Sequence, residues 1–145
     1  MSKQQKKKHE QPTFHPISAL PTVASVLDGL LEETEAQYAT LAQAKDKPHV
    51  LDDPTVDRVT RVYTDARELG EVFDEQLIHW EKSLLTNSQR AEVERLIHAR
   101  TKLRGLYNNI LELAAELRKG NINRILEMSD EEVGLAVLTG KLKPP

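Results

Sequence analysis

Two stretches of this chain write a carboxylate and a histidine one helical turn apart. Residues 75–80 read EQLIHW and residues 94–99 read ERLIHA, so Glu75 stands four positions before His79, and Glu94 four before His98. These groups build proton relays and metal centres, since imidazole titrates near neutrality and ligates divalent ions while a carboxylate orients it. Chemistry requires them to converge, which depends on the helices that carry them.

Those helices are legible from their apolar phase. Val59, Tyr63, Ala66, Gly70, Phe73, Leu77, Trp80 and Leu84 alternate steps of four and three, the inner stripe of one long helix. Val93, Leu96, Arg100, Leu103, Tyr107, Ile110, Ala114 and Leu117 do the same for the next, with Ile97, Leu106, Leu111 and Leu113 as a second row. Pairing the two about a turn near residues 86 and 87 puts Glu75 level with His98 and His79 level with Glu94. Direction spoils the match. At 100° per residue, Glu75 and His79 leave the far side of their stripe, and His98 also points outward. Di-iron bundles use inward-facing Glu-x-x-His, whereas both pairs here are Glu-x-x-x-His. The expected reading is two intrahelical contacts of about 0.2–0.5 kcal/mol each, with no catalytic residue, no metal and no cofactor.

Other constellations are also weak. A surface histidine flanked by Arg100, Lys102 and Arg104 invites comparison with histidine phosphotransfer domains, but that family spaces its motif His-x-x-Lys-Gly. Here Lys102 follows His98 by four residues and Gly105 by seven. His49, Asp52 and Asp53 lie close in one loop, where Asp53 is better explained as a helix cap. Gly-rich phosphate loops and nucleophile motifs are absent from the sequence.

Around these helices the chain divides as follows. Residues 1–16, with Lys3, Lys6, Lys7 and Lys8, read as a disordered basic tail, which Phe14 pins against the domain. Residues 17–145 read as a single domain. A first helix is expected from a cap at Ser18 to about Ala44, with Leu20, Val23, Leu27, Leu30, Thr34, Tyr38 and Leu41 inward. Asp53 and Pro54 start the second helix, which ends near Leu85. Thr86 and Gln89 have capping-box spacing for the third, and Gly120 after Arg118 and Lys119 should stop it. The remainder reads as one or two short helices, with Ser129 and Glu132 capping the last and Gly140 ending it. The fold class is therefore all-α, an antiparallel up-down-up bundle of three long helices with short C-terminal helices.

Composition agrees. In 145 residues there are 30% charged residues, 6 glycines and 4% aromatics, which suits helices packed through Leu, Val, Ile and Ala better than a sheet. The absence of cysteine removes disulfides and thiol chemistry and suits the cytoplasm. No secretory signal and no membrane span is expected.

Charge is uneven. Residues 18–46 hold Asp28, Glu32, Glu33, Glu35 and Asp46 against Lys45 alone, while residues 95–104 hold Arg95, Arg100, Lys102 and Arg104 without an acid. Either the two helices complement each other, or the bases join the lysine tail to line up on the phosphates of a nucleic acid. A net charge of −3 weighs against the second. The leading expectation is a non-enzymatic adaptor, assembly factor or regulatory protein working by protein contact, as a homodimer. Its interface residues would be Ile97, Leu106, Leu111 and Leu113 on the third helix and Val133, Leu135 and Leu138 at the C-terminus. Nucleic-acid binding through Lys3, Lys6, Lys7, Lys8, Arg95, Arg100, Lys102 and Arg104 is the alternative, and phosphotransfer through His98 the third.

Overall fold

A computed structural model describes residues 13–47 and 51–127. Three helices, α1 (Leu20–Ala44), α2 (Asp53–Glu81) and α3 (Asn87–Glu127), follow a short 3-10 turn at Ile17–Ala19. At 1.5 Å per residue, α3 is about 60 Å long, and both α1 and α2 pack along it. No strand occurs among the described residues, and no helix there is long and apolar enough to cross a membrane.

The inner stripes are buried as their phase requires. All eight positions of the α3 stripe are buried, Arg100 included. Leu20, Leu27, Thr34 and Leu41 of α1 are buried, as are Gly70, Leu77 and Trp80 of α2. The core falls into two apolar clusters. One joins Leu20, Ala24 and Leu27 to Leu77, Trp80, Val93 and Leu96; the other joins Leu41 and Ala44 to Val56, Ile110, Leu113, Ala114 and Leu117.

Several boundaries differ from the sequence expectation. Ser18 caps nothing: the 3-10 turn closes through Ala19 N–H donating to Pro16 O, and α1 starts at Leu20 with no side-chain cap. Asp52, not Asp53, caps α2, its Oδ1 accepting from Thr55 N–H at 3.0 Å. Asp53 lies inside the first turn, where it meets Arg118 and Asn121. α2 stops at Glu81, short of Leu85, and Arg90 donates to the freed carbonyls of Glu81 and Ser83. Leu84, read as an inner residue, therefore leaves the stripe and is fully exposed. The capping box is present, with Thr86 N–H donating to Gln89 Oε1 and Gln89 N–H to Thr86 Oγ1.

Gly120 does not end α3. The helix runs on to Glu127 because the next residue is tied down: Asn121 Nδ2 donates to Leu51 O at 3.0 Å and to Asp53 Oδ1 at 2.9 Å. The bonds, one of them to a carboxylate, work against the roughly 1 kcal/mol that a mid-helix glycine costs, although Asn121 Oδ1 is buried with no hydrogen-bond partner among the described residues. The first of the short C-terminal helices is thus absorbed into α3; the second, with Ser129, Glu132 and Gly140, lies outside the described residues.

Between the two apolar clusters Arg100 is enclosed against Gly70. A Cβ built on Gly70 would stand 2.6 Å from Arg100 Nη2 and 2.9 Å from its Cζ, whereas one on Gly105 would meet nothing within 4 Å. Gly70→Ala is therefore expected to destabilise by about 1–3 kcal/mol through overpacking. Gly105→Ala is expected to stabilise by up to about 1 kcal/mol; paired urea titrations of the two variants measure the contrast.

Candidate functional site

The two carboxylate–histidine pairs do not converge. Glu75, His79, Glu94 and His98 are all exposed, and among the described residues no group of three or more His, Asp or Glu is placed to hold a metal ion. His79 has a different occupation, its ring stacked on Phe14 with centroids 4.1 Å apart and planes within 6°. The backbone beside that stack is held as well. His15 N–H donates to Gln76 Oε1 at 2.8 Å, and His15 O accepts from Trp80 Nε1 at 2.9 Å. Residues 13–16, assigned to the tail on sequence, are thus fastened to α2; Lys3, Lys6, Lys7 and Lys8 lie outside the described residues.

The basic stretch of α3 is divided between its neighbours. Towards α1, Arg95 makes a bidentate pair with Asp28, both bonds 2.9 Å, and Lys102 lies 3.6 Å from Glu35. Towards α2, Arg100 Nε and Nη2 donate to the two oxygens of Asp74 at 2.8 and 3.1 Å, and Arg104 Nη2 adds a bond at 3.0 Å. Arg100 is 2% exposed, which corrects its reading as a phosphate contact: no ligand on the surface reaches it. Its Nη1 is buried without a hydrogen-bond partner among the described residues. The hydrogen bond from Arg95 lowers the Asp28 carboxyl pKa. Partial burial raises that of Asp74, but the hydrogen bonds and charges of Arg100 and Arg104 outweigh it and hold the carboxyl below its ordinary value. Burial pushes the Tyr63 and Tyr107 hydroxyls up.

Of the apolar residues assigned to an interface, Leu113 is buried within the chain's own second cluster, which corrects its assignment. Leu106 and Leu111 are half-buried. Ile97 is half-buried and, with Asp74, Leu77, Ile78, Thr101 and Arg104, lines an open cleft of about 240 Å³ between α2 and α3. Val133, Leu135 and Leu138 lie outside the described residues. Sequence reasoning missed three of the apolar side chains that the fold leaves in water on α2: Val62 at 49%, Leu69 at 68% and Val72 at 64% exposure. Their signal was their spacing of seven and three, on a line beside the inner stripe.

These features define the class: an all-helical fold in which the three helices of the described residues are held together by two apolar clusters and ion pairs from α3 to both neighbours. No match to this chain was found among protein-family models, curated proteins or solved structures.

Proposed function

We propose that this is a non-enzymatic helical-bundle protein that acts by protein–protein contact, as an adaptor, assembly factor or small regulatory subunit, and that it self-associates as a homodimer. The observation that carries this reading is the exposed apolar set of Val62, Leu69 and Val72 on the solvent side of α2; apolar surface left in water and edged by polar residues marks interaction sites. The clusters support an up-down-up course, since the start of α1 packs with the end of α2 and the start of α3, and the end of α1 with the start of α2 and the end of α3. Nucleic-acid binding has less support, because Arg95, Arg100, Lys102 and Arg104 are all ion-paired within the chain. Sedimentation equilibrium up to about 200 µM, where even weak specific contacts populate, is expected to show a monomer–dimer equilibrium. A strict monomer throughout overturns the self-association.

A further inference from the structure

The outer face of α2 is complementary to itself when reversed. At 100° per residue, Pro54, Arg58, Arg61, Val62, Asp65, Glu68, Leu69 and Val72 fall within a sector of about 120°, and all eight are exposed. Arg58 and Glu68 are each five residues from Tyr63, Arg61 and Asp65 each two, and Pro54 and Val72 each nine. Every base is thus mirrored by an acid at the same distance from one point, and an apolar end by an apolar end. None of these four charges belongs to an ion pair among the described residues.

We propose that a second copy of this chain docks on this face, α2 against α2, antiparallel across a two-fold axis level with Tyr63. The symmetry of the residues selects this occupant. A two-fold contact requires one patch to satisfy its own reversed image, whereas an unrelated partner places no such demand on the spacing of charges. In the pair, Arg58 comes level with the second copy's Glu68 and Arg61 with its Asp65, and the reciprocal contacts make four ion pairs. The Val62 side chains meet beside the axis, Val72 reaches Pro54 at each end, and Leu69 lies over the stem of Arg58. The contact runs for about 27 Å of helix. A seam this short, with exposed charge along its middle and Leu69 and Val62 along one edge, gives a reversible dimer that weakens as salt rises.

This inference rests on the self-association reading above, and its test separates the two. Arg58→Glu with Arg61→Glu makes the face wholly acidic; Asp65→Arg with Glu68→Arg makes it wholly basic. Because all four positions are exposed, circular dichroism and melting should match the parent chain. Each variant alone is expected to lose self-association at least about tenfold, since like charges then face each other. An equimolar mixture is expected to form a heterodimer by sedimentation or native mass spectrometry, and Leu69→Lys to weaken the parent dimer. Charge variants that still dimerise alone, or fail to pair when mixed, overturn the α2 face while leaving the homodimer standing. A parent chain that is monomeric throughout overturns both.

Discussion

Asp74→Ala is expected to lower the unfolding free energy by about 3–5 kcal/mol, the usual cost of leaving a buried charge without its partner. Arg100 has 3% of its side chain exposed and donates to both Asp74 oxygens, while its remaining terminal nitrogen, Nη1, has no partner among the described residues. Removing the carboxylate leaves the guanidinium enclosed against Gly70 with no counter-charge. Replacing both partners with apolar residues, Asp74→Leu with Arg100→Met, should cost less than Asp74→Ala alone, because no charge is then stranded. Urea titration followed by circular dichroism measures all three. A double variant less stable than the single one would show that the pair is not governed by desolvation.

The same pair sets a dependence on acid. The folded Asp74 carboxyl lies below its ordinary value of 3.8, so its contribution is fully present above about pH 4 and is lost as pH falls through the lower, folded value. The stability gap between the parent chain and Asp74→Ala should accordingly stay constant from about pH 7 to pH 5 and close below about pH 4. A gap that widened on acidification would contradict the assignment of the carboxylate as the stabilising form.

Trp80→Ala is the second large effect, about 3–5 kcal/mol from the lost indole and the cavity behind it. Trp80 is 2% exposed, among Leu20, Leu27, Leu77, Val93 and Leu96, where all three helices contribute. It also holds the chain ahead of α1 through Nε1–H donating to His15 O. Trp80→Phe keeps most of the ring and loses that bond, so it should cost less than the alanine change while freeing residues 13–16. Hydrogen exchange at His15, whose N–H donates to Gln76, reads that release; protection unchanged in Trp80→Phe would show that Gln76 and Phe14 suffice.

The α3 stripe and the outward histidines were legible in the sequence because both follow from helical phase, a local property that survives whatever the helices pack against. The ends were less legible. Asp52 and Asp53 are equivalent as candidate caps until Asn121 and Arg118 arrive from 65 or more residues away and engage Asp53. Gly120 had every local mark of a helix end, and the same distant bonds from Asn121 overrode it.

Arg100 shows the division most clearly. Its place on the inner stripe of α3, and that of Gly70 on the inner stripe of α2, could be read from spacing alone; that one fills the room left by the other could not. What the sequence by itself determined was a set of amphipathic helices, their facing sides and the acidic and basic stretches they carry, since periodicity and charge belong to single segments. Only the tertiary structure decided which base meets which acid, that Leu113 and Arg100 are enclosed, and that Val62, Leu69 and Val72 are left in water. Burial and pairing are properties of two surfaces brought together, and neither helix contains that information alone.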